Sequence, residues 1–68
     1  MDTPLIYFSY DGKRYAVTMA AYDGNLIRLP DGRLLQVNAW FESLPPSPMN
    51  IQEMNSTASM HAVDATEA

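Results

Sequence analysis

The chain of 68 residues has room for one small domain, and its net charge of −4 disfavours non-specific binding to nucleic acid or to an anionic membrane. It contains no cysteine and one histidine, His61, which excludes disulfides, thiolate metal sites and a multi-histidine site, so we expect no metal and no cofactor. It lacks an apolar run of about 18 residues and a signal-peptide pattern, which predicts a cytoplasmic protein without a membrane span.

The N-terminal part of the chain consists of short apolar and β-branched stretches separated by Asp-Gly pairs. Asp-Gly is typical of hairpin turns, because glycine accepts a positive φ and aspartate hydrogen-bonds its own backbone through the bend. The pairs are Asp11-Gly12, Asp23-Gly24 and Asp31-Gly32. They predict an all-β fold, a four-stranded antiparallel meander with strands over residues 5–10, 13–20, 25–29 and 33–41.

The third turn, Leu-Pro-Asp-Gly-Arg over residues 29–33, has the most specific pattern. Proline sets φ for the first corner of a type I turn and glycine takes the left-handed position, which predicts a three-residue loop with a bulge. Leu29 then pairs with Arg33, and Ile27 with Leu35. If the first two turns use the same loop, the odd-numbered residues face the core. That expected core face is Leu5, Tyr7, Tyr15, Val17, Met19, Ile27, Leu29, Leu35, Val37, Ala39 and Phe41.

The opposite face carries more large apolar side chains than one open sheet can bury. They are Ile6, Phe8, Leu26, Leu34 and Trp40. We therefore expect either that the sheet curls toward a small SH3-like barrel, or that it packs on another protein or on a second copy as a homodimer. The strand over residues 5–10 is an edge of the meander, and it is predicted to accept a further strand.

The composition changes after Leu44. The prolines of the segment 44–48 favour an extended polyproline conformation, are expected to end the sheet, and form a candidate ligand for an aromatic groove. The following residues are polar and lack a strong period. We therefore predict a β domain over residues 3–44 and a Pro-rich, mostly disordered tail over residues 45–68.

No motif in the sequence indicates catalysis. The aspartates of the predicted sheet lie in turns, and turn formation explains them fully. His61 alone cannot build a catalytic triad, and a Gly-rich phosphate loop is absent. We therefore expect a protein that is not an enzyme and has no small-molecule substrate.

The favoured function is a protein-interaction module, a small adaptor or accessory subunit that binds another protein or itself. Its expected contact residues are Phe8, Arg28 and Trp40, with Tyr10 and Arg14 at the rim, because aromatic rings and arginine dominate interface energetics. The same side chains are typical of a platform for single-stranded nucleic acid, which is the first alternative. A small β domain with no separable activity is the second.

Overall fold

The protein has an all-β fold, in a computed structural model that describes residues 4–54 and 61–68. The first described strands are β1 (Leu5–Tyr10), β2 (Lys13–Thr18), β3 (Leu26–Arg28) and β4 (Leu34–Phe41). They are followed by β5 (Ser47–Met54), β6 (Ala62–Asp64) and β7 (Thr66–Glu67). One sheet has the order β1-β2-β7, and the other has the order β5-β4-β3-β6. Over the described residues the sheets do not close into a barrel, so the expectation of a small SH3-like barrel is wrong.

The second Asp-Gly pair does not form a hairpin. Residues Met19–Asp23 form a short 3₁₀ helix, and Gly24 ends it with φ 92° in the left-handed region. The helix separates β2 and β3 into different sheets, so the predicted four-stranded meander is wrong. The helical segment, Met-Ala-Ala-Tyr-Asp, contains no β-branched residue and has two alanines, which favours a helical turn before the glycine.

The first hairpin has a two-residue turn rather than the predicted three-residue loop. Both turn residues have positive φ, 54° at Asp11 and 80° at Gly12, which is the signature of a type I′ turn. Tyr10 therefore pairs with Lys13, one residue away from the predicted register. Because side chains alternate along a strand, this shift turns β1 over relative to β2. Leu5 and Tyr7, which we expected in the core, are exposed.

The third hairpin confirms its predicted loop. Gly32 has φ 99°, its N–H donates to the carbonyl oxygen of Leu29 at 2.9 Å, and the N–H of Leu29 donates to the carbonyl oxygen of Arg33 at 2.8 Å. The pairing of Ile27 with Leu35 follows. A proline, an aspartate and a glycine in consecutive turn positions were therefore enough to fix both the loop and its register.

The segment predicted to be a flexible tail supplies strands to both sheets. β5 pairs antiparallel with β4, β6 pairs parallel with β3, and β7 pairs antiparallel with β2. The prediction of a mostly disordered tail is therefore wrong for residues 47–54 and 62–67, and the prediction that the segment 44–48 ends the sheet is wrong because β5 begins at Ser47. Residues 55–60 and Thr3 lie outside the described residues. Pro48 is accommodated because β5 is an edge strand, where a missing N–H need not cost a ladder hydrogen bond.

The core lies between the two sheets and under the 3₁₀ helix. Its buried members are Ile6, Phe8, Tyr15, Val17, Ala21, Ile27, Leu29, Leu35 and Ala65. The predicted core positions of β2, β3 and the third hairpin are confirmed, whereas Phe41 is exposed. Ile6, Phe8 and Leu34 were expected on the face opposite the core, where a partner or a barrel would have to cover them. All three are buried within the chain itself.

Candidate interaction surface

Phe8, the first of the expected contact residues, is a core residue. Only 6% of it is exposed, and its ring centroid lies 5.6 Å from that of Tyr15, directly across the β1–β2 ladder. The type I′ turn causes this placement, since it points the even-numbered residues of β1 inward. Phe8 therefore stabilises the packing between the sheets.

Tyr10 is half-buried and already has partners within the chain. Its hydroxyl donates to Oε1 of Glu53 at 3.1 Å, and the guanidinium of Arg33 lies 5.5 Å from its ring centroid, a cation–π distance. Desolvation raises the pKa of the Tyr10 phenol, and the hydrogen bond to Glu53 adds to the rise. These contacts link the first hairpin to β5.

Arg14, Arg28 and Trp40 lie in three separate environments. Arg14 is exposed on β2, opposite Ser9, and its carbonyl oxygen accepts a hydrogen bond from the N–H of Ala68 at 3.0 Å. The Nε of Arg28 lies 3.6 Å from Oδ1 of Asp64 on the neighbouring β6. Trp40 is half-buried and packs edge-to-face on Tyr22, with the ring centroids 5.1 Å apart.

The structure does not bring the five expected contact residues onto one face. Phe8, Tyr10 and Arg14 belong to the three-stranded sheet, and Arg28 and Trp40 belong to the other. Within the first sheet, Phe8 points inward and Arg14, next to the inward Tyr15, points outward. That a partner contacts the other four residues stays a prediction, and the structure gives them no common face. They are Tyr10, Arg14, Arg28 and Trp40.

Arg33 forms the centre of an ion-pair network. Its Nε lies 2.8 Å from Oδ2 of Asp31, and its Nη1 lies 3.2 Å from Oδ2 of Asp11 and 3.9 Å from Oε1 of Glu53. The backbone N–H of Arg33 hydrogen-bonds Asp31 and, with its side chain, lowers the pKa of that carboxyl group. The hydrogen bond to Asp31 in turn raises the pKa of Arg33. The network connects the first and third Asp-Gly turns to β5, so its role is structural.

The open edge of β1 is the most distinctive surface of the described chain. Among the described strands, β1 pairs with β2 alone, which confirms its predicted edge position. Its outward side chains include Leu5 and Tyr7, which are 37% and 48% exposed. β5 approaches β1 near the hairpin turn, where Tyr10 contacts Glu53.

The hairpin geometry determines which backbone groups of β1 point out of the sheet. In a two-residue hairpin the residues that flank the turn, here Tyr10 and Lys13, form a hydrogen-bonded pair, and such pairs recur at alternate positions. Tyr10, Phe8 and Ile6 therefore direct their N–H and C=O groups toward β2. The N–H and C=O groups of Leu5, Tyr7 and Ser9 point toward the open edge, where a further strand would pair with them.

The edge of β1 lacks the devices that usually prevent edge pairing, which are charges, prolines, bulges and short length. Its sequence, Leu-Ile-Tyr-Phe-Ser-Tyr, contains no charge and no proline. By contrast, β5 carries Pro48 and Glu53 and pairs with β4 through two register shifts. Among the described strands, the remaining edges are β6 and β7, which have three and two residues.

An apolar pocket of about 320 Å³ lies at the start of β1. It is lined by Pro4, Met19, Leu44 and Pro45, and Leu44 is 98% exposed. Sequence reasoning did not identify this pocket, because it joins the chain before β1, the 3₁₀ helix and the β4–β5 loop. The signal in the sequence was Leu44 itself, a large aliphatic residue beside the prolines of a loop.

Within residues 4–54 and 61–68, histidine, aspartate and glutamate form no cluster of three or more that could hold a metal ion. The same residues contain no helix with the length and hydrophobicity needed to cross a bilayer.

Comparison with known proteins adds no further assignment. The chain matches no protein-family model, and it has no significant match among curated proteins or solved structures.

Proposed function

We propose that the chain is a non-catalytic protein-interaction module that binds an extended segment of a protein chain by strand addition along β1. The observation that carries this proposal is the edge of β1 at Leu5, Tyr7 and Ser9, where the backbone N–H and C=O groups point away from β2, the partner of β1 among the described strands. The strand contains no charge and no proline that would hinder pairing. Main-chain hydrogen bonds supply affinity in this mode of recognition, and alternate side chains supply specificity.

The surroundings of the edge define the side chains that suit a partner. Leu5 and Tyr7 stand on the outer face of β1, so an added strand gains apolar contact when its residues on that face are β-branched or aromatic. The apolar pocket at Leu44 lies at the N-terminal end of β1 and suits an aliphatic side chain beyond the paired segment. The recognised segment is therefore extended and mostly apolar.

The contacts of the charged residues favour a protein partner over single-stranded nucleic acid. Arg14 and Arg28 belong to different sheets, Arg28 pairs with Asp64, and Arg33 lies among three carboxylates. A nucleic-acid platform needs arginines and stacking rings along one groove.

Selection from a displayed library of random hexapeptides tests strand addition, using wild type as bait and two substitutions of Ser9. Ser9→Pro removes an N–H that points away from β2, so β1 keeps its pairing while the edge loses a donor. Ser9→Ala is the matched control, because it removes the hydroxyl and keeps the N–H. We expect selected peptides with alternating β-branched or aromatic residues that bind wild type and Ser9→Ala and lose binding to Ser9→Pro.

Circular dichroism of the variants confirms that both are folded before binding is compared. Selected peptides that bind Ser9→Pro as well as wild type would place recognition elsewhere on the molecule. A selection that enriches no peptide would also contradict the proposal.

A further inference from the structure

The outward-pointing residues of β1 are arranged symmetrically about Tyr7. Leu5 and Ser9 lie two residues to either side of it, and all three direct their backbone groups to the open edge. If a second β1 pairs antiparallel about a two-fold axis at Tyr7, Tyr7 faces Tyr7 of the second copy, and Leu5 faces Ser9. Each outward N–H and C=O of the three residues then has a partner in the other copy.

The charge distribution along the edge permits this self-pairing. A two-fold axis brings equivalent residues together, so any charge near the axis would meet its own like charge. β1 has none along its six residues. On the outer face, Tyr7 lies opposite the small and buried Ala16 of β2, so the position of β2 nearest to the axis carries no charge either.

We infer that the extended segment recognised by β1 is the β1 strand of a second copy of this chain, paired antiparallel about Tyr7. The inference rests on the proposed function and names its partner. The two three-stranded sheets then form one continuous sheet in the order β7-β2-β1-β1-β2-β7, and both open β1 edges disappear. Covering an unprotected edge by closed symmetric pairing prevents open-ended association.

The size and charge of the pairing predict a weak dimer that is strengthened by salt. One strand edge from each copy buries less than the roughly 1,200 Å² of a standard interface, so dissociation occurs on dilution. Each copy carries a net charge of −4, and the resulting repulsion is screened as ionic strength rises. Nucleic-acid binding would weaken with salt instead.

Light scattering coupled to size exclusion, over a wide range of protein concentration and at low and high salt, measures this association. We expect the wild-type mass to rise from 7.6 kDa toward twice that value with concentration, and to rise further at high salt. Tyr7→Lys places two ammonium groups at the axis and is expected to abolish the dimer. Met49→Lys makes the same charge change at an exposed residue of β5 and is expected to leave it intact.

Disulfide trapping gives an independent geometric test, because the chain has no cysteine of its own. Residues that face each other in a hydrogen-bonded antiparallel pair have Cα atoms about 5.5 Å apart, within the range that a disulfide spans. Tyr7→Cys is therefore expected to form a covalent dimer on mild oxidation. Tyr22→Cys, at an exposed tyrosine of the 3₁₀ helix, is the matched control and is expected to remain largely monomeric.

A wild-type chain that stays monomeric at every concentration and salt would overturn the inference. So would a dimer that survives Tyr7→Lys, or equal trapping of the two cysteine variants. If the wild type is monomeric but binds selected hexapeptides in a Ser9→Pro-sensitive manner, the proposed strand addition stands and the partner is another protein. If both experiments fail, the edge of β1 is not a binding surface.

Discussion

Phe8 and Tyr7 are adjacent residues with similar rings and opposite surroundings. Phe8 is 6% exposed and packs on Tyr15, whereas Tyr7 is 48% exposed on the outer face of β1. Phe8→Ala is expected to lower the free energy of unfolding by about 3–5 kcal/mol, since it leaves a cavity in the core. Tyr7→Ala is expected to change it by only about 0.5 kcal/mol. Urea titration of both variants, at concentrations where the chain is monomeric, measures the difference.

Equal losses for the two variants would show that β1 does not alternate as described. The sequence around these residues explains why their orientation was predicted wrongly. Leu5, Ile6, Tyr7 and Phe8 are all apolar, so no polar side chain marks which face of the strand meets water. Only the type of turn decides between the two orientations, and an Asp-Gly pair is compatible with more than one type.

The two Asp-Gly hairpin turns have different backbone conformations and therefore respond differently to substitution. Asp11 has φ 54°, whereas Asp31 is not among the described residues with positive φ. At position 11, glycine is expected to give a more stable protein than alanine by about 1 kcal/mol, because alanine is strained at positive φ. At position 31 the order is expected to reverse, because glycine only adds freedom to the unfolded chain.

Thermal or urea unfolding of the four variants, Asp11→Gly, Asp11→Ala, Asp31→Gly and Asp31→Ala, tests the two turn types together. At each position both substitutions remove the same carboxylate from Arg33, so the lost ion pair cancels in the comparison. The same order at both positions would mean that the two turns share one conformation.

The elements that the sequence predicted well are those determined by local chemistry. Residues 5–10 form β1 as expected, and β4 begins one residue later than predicted, after the Pro-Asp-Gly loop. The 3₁₀ helix was missed because its Asp-Gly pair resembles the other two. The strand β5 was missed because it begins among the prolines after Leu44 and its residues show no strict alternation, although its partner β4 directly precedes it. The strands β6 and β7 were missed because their partners lie far away in the chain and because both are too short to show a period.

The candidate site was predictable to a similar degree. The edge position of residues 5–10 followed from the order of the strands, and the structure confirms it. The exposure of Leu5 and Tyr7 could not be predicted from the sequence, because it depends on the register of the first hairpin. The expected face of Phe8, Arg28 and Trp40 depended on one continuous meander, which the 3₁₀ helix interrupts.

For the molecule as a whole, removal of residues 45–68 tests whether the N-terminal strands fold by themselves. The truncation deletes β5, β6 and β7, and with them the long ladder on β4, the parallel neighbour of β3 and the buried Ala65. We expect the shortened chain to be unfolded by circular dichroism and by the collapse of its amide proton spectrum. A shortened chain with a cooperative thermal transition would show that residues 1–44 are sufficient for folding.

The late strands also determine when folding can finish. Ala65 alone separates β6, which completes one sheet, from β7, which completes the other, and its N–H bonds the carbonyl oxygen of Arg28 at 2.8 Å. During synthesis, these residues are still inside the ribosome exit tunnel when β1 and β2 have already emerged. The N-terminal strands of the nascent chain therefore lack their β6 and β7 neighbours until those residues have left the tunnel.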